Sequence, residues 1–486
     1  MMDGTSYSGS RRGRKVDFGL LLSYLFLVIF GWLNIYSAVY SEEHAFILDF
    51  SQRYGLQFIW VCISLGVAII LLYLINPRNF PPLTPVFYLA MLVLLAAVLF
   101  LGKEVNGSRS WFFIGSFGLQ PAEFSKITTA LLLSYIMSQY GFSLHNRKDA
   151  VKAALVVIVP ILLILMEKET GSALVYIGLI LVFYMEGLAG WVILLGIGLI
   201  AMFVITIALS PLAALVCAFS VCCIIRFVQN RSLVWILTAI AATVLMCFIP
   251  RLAQIEALGF LNSLKPEVWA LIIMVPHLFF WLRDILAKRE RPGGRYALIS
   301  LAAAVLMVFS VNIIFDKVLQ PHQKARIENL LGITEDLQGI GYNVHQSKIA
   351  IGSGGFTGKG FLNGTQTKYN FVPEQSTDFI FCTVGEEWGF LGCIVLLGVY
   401  IFLITRIIHL ASKNSDAFTR IYGYCVASMF LMHVVINIGM TMGLLPVIGI
   451  PLPFLSYGGS GMMSFTILLF IFIRLDMERQ NKDADF

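Results

Sequence analysis

About fourteen long apolar runs constrain this chain more than any other feature, because a membrane-crossing helix needs about 20 mostly apolar residues. They lie near 18–40, 55–75, 83–102, 121–140, 151–166, 172–187, 190–209, 211–228, 232–250, 268–286, 296–316, 378–405, 421–446 and 461–475. Charged residues make up only 13% of the 486 positions, against about 25% in a soluble domain. Mean hydropathy is +0.83. The expected fold class is an all-α polytopic membrane protein, which excludes a soluble enzyme on a single anchor. The 41 Gly and 16 Pro residues suit helices whose neighbours satisfy freed backbone groups. All 8 Cys lie in apolar runs. They read as small core residues with no disulfide framework, and adjacent Cys222 and Cys223 have no metal-site spacing.

Charge sets the orientation. Residues 1–17 carry Arg11, Arg12, Arg14 and Lys15 and lead into a full-length span rather than a cleavable signal peptide. With that end cytoplasmic, roughly 21 of the 34 Lys and Arg fall on the inner side. Dropping one span would move the Arg283–Arg295 cluster or the C-terminal tail outside. The net charge of +6 therefore marks inner loops rather than an anionic partner. Both termini are expected in the cytoplasm. Segment 251–286, interrupted by Trp269 and Pro276 and holding His277, is alternatively an interfacial helix.

One long polar segment, 317–377, falls on the outer side. The glycines at 352, 354, 355, 358, 360 and 364 argue against a regular helix there. Long loops of this kind are functional or disordered, and its Tyr, Phe and Ile content favours an ordered lid.

The lid ends in FVPEQSTDFIF, Phe371 to Phe381, which brings Glu374 and Asp378 to a membrane edge. Acids are costly there. Asp378 reads equally as a helix N-cap and as a general base or cation ligand. Glu386 and Glu387 follow in the same apolar run, as a structural pair or as catalytic groups. Upstream, NGSRSWFFIGSFGLQPAEFSK (Asn106 to Lys126) leads into a span at Pro121, a residue suited to a helix first turn. Glu123 and Lys126 share a face, either as a local ion pair or as a cavity-lining pair at an anionic head group. Trp111, Phe112 and Phe113 read as interfacial anchors. Glu167 and Glu169 stand at the outer end of a span. GLLPVIGIPLPFLSYGGSG, Gly443 to Gly461, breaks helical continuity, which survives at membrane depth only under cover; Ser456 and Tyr457 are the polar groups it presents. No Walker A, H-E-x-x-H, zinc-type Cys spacing or G-x-S-x-G motif occurs.

QSKIAIGSGGFTGKG, GTQTKYNFVPEQSTDFIF, GEEWGFLG and NIGMTMGLLPVIGIPLPFLSYGGS together resemble the SEDS family, named for shape, elongation, division and sporulation, and its elongation branch in particular. The resemblance covers 16–187 and 296–475. It implies a peptidoglycan glycosyltransferase of the bacterial cytoplasmic (inner) membrane that polymerises lipid II into β-1,4 glycan on the extracytoplasmic face. The family's essential Asp, in its PE..TDF motif, falls on Asp378. Its QPxEFxK motif falls on Gln120, Pro121, Glu123, Phe124 and Lys126, and its GxxRW motif loosely on Gly107 to Trp111. Arg109, Glu123, Lys126, Lys359, Glu374, Ser456 and Tyr457 are the candidate substrate-binding residues. The resemblance also implies a divalent cation, Mg or Mn, with Asp378 as a candidate ligand and Lys126 and Arg109 near the pyrophosphate. No nucleotide and no nucleic acid are expected. A class B penicillin-binding protein would supply transpeptidation, beside other membrane proteins of the elongation complex. The alternatives are a lipid II flippase and a non-catalytic scaffold. In place of the family's QPDLGTAL this chain has Glu167 followed by KETGSAL, so Glu169 stands where Asp is expected. The family has about ten spans, so 188–295 reads as an insert of about four. The expected organisation is a tail 1–17, cores 18–187 and 296–475, that insert, and a tail 476–486.

Overall fold

The computed structural model describes residues 16–40, 46–105, 107–114, 117–252, 263–287, 292–313, 324–325, 341–369 and 371–484. The basic residues Arg11 to Lys15, Lys288 to Arg291 and most of the lid's first half, 317–340, lie outside them.

Thirteen of the fourteen predicted apolar runs each coincide with one helix, and 172–187 coincides with two short helices. The helices are α1 (Phe18–Val39), α2 (Arg53–Tyr73), α3 (Phe80–Leu101), α4 (Pro121–Met137) and α5 (Arg147–Met166), then α6 (Thr170–Val175) and α7 (Ile180–Met185), joined by a 3-10 turn. They continue as α8 (Gly190–Ala208), α9 (Pro211–Asn230), α10 (Leu233–Leu252), α11 (Pro266–Leu286) and α12 (Pro292–Ile313). After the lid helices α13 (Tyr342–Ser353) and α14 (Thr365–Lys368) come α15 (Ile380–Ser412), α16 (Ala417–Thr441) and α17 (Gly459–Ala484). Among the described residues, twelve helices have the length and hydropathy of a span, and the α6–α7 segment is a shorter apolar helix. The 17-residue α4 carries Glu123 and Lys126. Segment Pro266–Leu286, alternatively interfacial by sequence, is one 21-residue helix.

The helices form two units, Met1–Leu188 with Asp336–Phe486, and Ala189–Glu335. In the first, α16 and α17 are central. Buried residues make up 78% and 83% of their apolar windows, against 44% or less in α1, α2, α3, α5 and α15. Helix α15 packs on α16 and α1, α17 on α2, and α4 on α3 and α16. Apolar faces left open on the outer helices, such as Leu89 and Val93 of α3, are what a lipid-facing surface requires.

A three-stranded antiparallel sheet departs from the all-helical expectation. It comprises β1 (Lys103–Val105), β2 (Ser108–Ile114) and β3 (Phe117–Leu119), in that spatial order. The aromatic run Trp111 to Phe113 that reads as membrane anchors is β2 itself. Aromatic residues fit a pleated surface, and Phe112 and Phe113 pair with Leu119 and Gly118.

In the second unit α9 packs against α8, α10, α11 and α12. Arg226 is buried within α9. Its guanidinium bonds Asp284 of α11 at 2.7 Å and lies 3.7 Å from the Trp235 ring centroid of α10. That one cation fastens both helices to α9. The 8 cysteines are all free; Cys62, Cys217 and Cys247 are exposed rather than core.

Candidate active site

The turn carrying Asp378 is held from four directions. Glu374 adopts φ +52°, and its carbonyl accepts the amides of Thr377 and Phe379 at 3.1 and 3.2 Å. Gln375 donates to the Ala38 carbonyl of α1's C-terminal end at 2.6 Å. Arg53, the first residue of α2, donates to Ser376 Oγ at 2.8 Å. Asn437 of α16 donates to the carbonyls of Asp378 (2.8 Å) and Ile450 (2.6 Å). The Gly443–Gly461 segment closes the fourth side. There Ser456 donates to the Thr377 carbonyl at 2.7 Å and accepts the Leu452 amide at 2.8 Å, while the Tyr457 amide donates to the Ser376 carbonyl at 2.8 Å. Ser456 is thus a strut, its hydroxyl spent on backbone. Asp378 itself is half-buried.

The N-cap expectation for Ser376, Thr377 and Asp378 fails. Helix α15 starts at Ile380 behind Phe379, and no side chain caps it. The residues before it are spent on the turn instead, which leaves the Asp378 side chain directed by that turn. Gly449, at φ +77°, comes so close that a Cβ there would sit 3.2 Å from Asp378 Oδ2.

The lid completes a break in α15. Gly389 has φ +63° and ψ −161°, outside helical geometry, and an interrupted helix must find other partners for its freed groups. The lid supplies them: Lys359 and Gly360 donate to the carbonyls of Glu386 and Glu387 at 3.0 Å each. Phe390 and Leu391 donate in return to Gly355 and Phe356 at 3.0 and 3.1 Å. Glu386, fully buried, accepts the amides of Thr365, Gln366 and Thr367 at 2.8, 2.9 and 3.0 Å, and Lys359 Nζ at 2.7 Å. It anchors the lid through the N-terminus of α14, which settles the structural-or-catalytic alternative by leaving its lone pairs occupied. Lys359 is the cation of that anchor. Glu387, also buried, accepts from Ser37. Replacing Glu386 by Ala strips partners from three amides and an ammonium. Bonds to charged groups contribute about 1.5–3 kcal/mol each, so local stability should fall by at least about 3 kcal/mol and limited proteolysis should open the lid between 354 and 368.

Glu123 and Lys126 form the local pair that one reading of the sequence allowed. Their side chains, 4% and 2% exposed, meet at 2.8 Å. Lys126 also reaches His433 Nε2 at 2.8 Å, and His433 Nδ1 lies 3.1 Å from the Pro451 carbonyl. An ammonium only donates, so Nε2 accepts and Nδ1 carries the proton to Pro451. Ser464 donates to Glu123 at 3.2 Å. The cluster ties α4, α16 and α17 to the proline-rich segment. Arg109 is exposed on β2, 3.6 Å from Glu104.

Behind the sheet lie two acids. The Glu167 carbonyl accepts the Arg109 amide at 3.2 Å. Its carboxyl is 1% exposed, and neither oxygen has a hydrogen-bond partner among the described residues. Burial, and then the neighbouring Glu169, pushes it up to about 9. Burial also raises Glu169, opposed by hydrogen bonds from Ser172 and Gln120. Gly171, just beyond, packs against Ile448 and Ile450, which flank Gly449. The Glu169 end of α6 and the Asp378 turn therefore grip opposite sides of one segment.

Arg53, Asn437, His433 and Gly449 escaped sequence reasoning. Arg53 left one signal, a cation on the outer side at the start of a span, against both charge bias and helix dipole. Among the described residues no group of three or more His, Cys, Asp or Glu is placed to hold a metal. One carboxylate beside a substrate phosphate still meets the minimum that Mg²⁺ requires, because that ion keeps several waters.

Residues 19–230 and 293–481 match the FtsW/RodA/SpoVE family of cell cycle proteins. The 231–292 stretch between them comprises α10, α11 and their connections. The chain is 32% identical over 456 residues to the peptidoglycan glycosyltransferase RodA of Treponema pallidum (strain Nichols), covering 93% of this chain and 95% of that protein. It is 28% identical over 402 residues to the peptidoglycan glycosyltransferase MrdB of Escherichia coli (strain K12), covering 82% and 80%. Among solved structures, a chain of a peptidoglycan synthase complex superposes with TM-score 0.61 at 22% identity, covering 96% of this chain and 98% of that one. The rod shape determining protein RodA of Thermus thermophilus gives 0.52 at 21%, covering 96% and 97%. At these identities the structural likeness concerns the fold.

Proposed function

The chain belongs to the FtsW/RodA/SpoVE family, and from that premise we infer that it is a peptidoglycan glycosyltransferase. It is a multi-pass bacterial membrane protein, and its active site faces the extracytoplasmic side of the inner membrane. The observation that carries the reading is the likeness to a peptidoglycan glycosyltransferase across 93% of the chain. The pinned turn around Asp378 then supplies the reactive group.

The substrate is lipid II. The 4-hydroxyl of the acceptor GlcNAc attacks C1 of the donor MurNAc, a C–O bond forms, the C1–phosphate oxygen bond breaks, and undecaprenyl diphosphate leaves with inversion. A sugar hydroxyl is too weak an acid to ionise beforehand, so its proton passes to Asp378 as the bond forms. The turn's backbone bonds hold that carboxylate, and Gly449 leaves it room. Asp378 is the residue that would hold a divalent cation, and such an ion would supply charge to offset the leaving group. Glu123 and Lys126 act by fixing the walls of the site.

Transpeptidation needs a partner, because the chain contains no Ser-x-x-Lys motif. A class B penicillin-binding protein fits that need. The direct test is glycan polymerisation from lipid II by the purified protein, with and without a chelator. Lipid II flipping in proteoliposomes without polymer would overturn the reading in favour of transport.

Gly449→Ala probes the geometry. A side chain at φ +77° is strained by about 1–2 kcal/mol, and its methyl group crowds Asp378. Since a displacement of about 1 Å at a reacting group can cost about 10²-fold, kcat should fall at least tenfold with KM little changed. Steady-state polymerisation rates check this.

A further inference from the structure

We propose that Arg53 is the cation that receives the diphosphate of the lipid-linked donor, with Glu374 holding its place until substrate arrives. The proposal rests on the glycosyltransferase reading and names the anion subsite of that site.

Of the other candidate cations, the two lysines are committed. Lys126 is buried against Glu123 and His433. Lys359 is bonded to Glu386 and Thr365, at 2.7 Å each. Arg109 lies on the sheet beside Glu104. Arg53 is different, with a side chain 46% exposed on the very turn that carries Asp378. Its Nη1 reaches Ser376 Oγ at 2.8 Å, two residues from Asp378 on the same turn, and the Cα atoms of Ser376 and Asp378 are at most about 7 Å apart. The chemistry demands that proximity. The diphosphate is bonded to the carbon under attack, and Asp378 takes the proton of the attacking hydroxyl, so base and anion subsite must lie within a sugar's width.

Arg53 is also placed at a cost. It is the first residue of α2, which has no acid in its first turn. A cation there opposes the helix dipole. Its one ion pair among the described residues is loose, 3.5 Å to a Glu374 side chain that is 52% exposed, and such surface pairs contribute little. A guanidinium held this way exchanges a monodentate carboxylate for a diphosphate that it can fork. The Tyr457 ring, 5.8 Å from the guanidinium carbon, backs it. No bond to Arg53 is made or broken in the reaction.

Binding should be measured in an Asp378→Asn background, where turnover cannot interfere, with undecaprenyl diphosphate, neutral undecaprenol and inorganic pyrophosphate as probes. Arg53→Gln should weaken undecaprenyl diphosphate binding about 10–100-fold and leave undecaprenol binding unchanged. Arg53→Lys should weaken it less, and Glu374→Gln should tighten it and, with Asp378 intact, lower the KM for lipid II. Loss of pyrophosphate binding in parallel would locate the effect in the head group. Ser376→Ala removes the positioning bond but keeps the cation, so it should retain binding. The proposal is overturned if Arg53→Gln binds normally, or if Ser376→Ala loses binding as fully as Arg53→Gln. Should Arg53→Gln fail to fold, unchanged KM in both Arg53→Lys and Glu374→Gln overturns it equally. Normal polymerisation by the parent protein alongside normal binding by the Arg53 variants sinks this proposal alone. An inactive parent protein sinks the glycosyltransferase reading instead.

Discussion

Asp378→Asn should reduce polymerisation of lipid II by about 10²–10⁴-fold, the usual contribution of a positioned general base. The substitution keeps size and hydrogen-bonding capacity and removes only the proton acceptor. The turn should keep its anchors, because the Asp378 carbonyl, Ser376 and the Thr377 carbonyl that hold it are unchanged. Thermal stability should therefore match the parent while kcat collapses. Neighbouring acids are badly placed to substitute. Glu374 stands four residues back on the turn, beside Arg53 in the substrate-free protein, and Glu386 is occupied by lid amides. A variant that polymerises purified lipid II at the parent rate would remove Asp378 from the mechanism and, with it, the chemical reason for the turn.

What sequence reveals here follows physical range. The helices were legible because hydropathy is a local property, and all the apolar runs but 172–187 became single helices. Asp378 was legible as an acid at a membrane edge, but only the family resemblance separated base from cap. The sheet was not legible. Trp111, Phe112 and Phe113 suit both a membrane interface and a pleated strand, and pairing with Leu119 and Gly118 decided between them. The lid glycines were half legible. Helix α13 runs through Gly352, and the irregular backbone begins beyond it, where Gly358 must lie against the Glu387 carbonyl with no room for a Cβ. Long-range partners were hidden altogether. Nothing near Arg53 announces Ser376, 323 positions away. Nothing in the spacing of Glu386 shows that Thr365 and Gln366 will turn their amides toward it. The Glu123–Lys126 spacing is compatible with an exposed pair or a buried one, and burial is settled by α16 and α17 through His433 and Ser464.

Glu167→Gln should flatten the pH dependence of stability, an effect of about 4 kcal/mol between pH 6 and pH 9. The carboxyl's folded-state pKa, about 9, lies far above its ordinary 4.5. Below about pH 4.5 both folded and unfolded chains hold the proton, and burial carries no ionisation penalty. Between 4.5 and 9 the unfolded chain releases the proton while the folded chain retains it. Stability therefore falls as pH rises, by about 1.4 kcal/mol per unit. Above 9 the folded group ionises too and the loss levels off. Glutamine carries no titrating proton, so the variant lacks this slope. Glu169, the neighbouring acid, is common to both proteins and largely cancels in the comparison. The SEDS motif that this stretch resembles, QPDLGTAL, begins with glutamine where this chain has Glu167, so a neutral side chain suits the position. Thermal unfolding of both proteins in the same detergent at pH 6, 7, 8 and 9 gives the measurement. The gap between them should widen steadily in favour of glutamine. A constant gap would mean that Glu167 is charged in the folded protein and has found a partner, and the space behind the sheet would then have to be polar rather than dry.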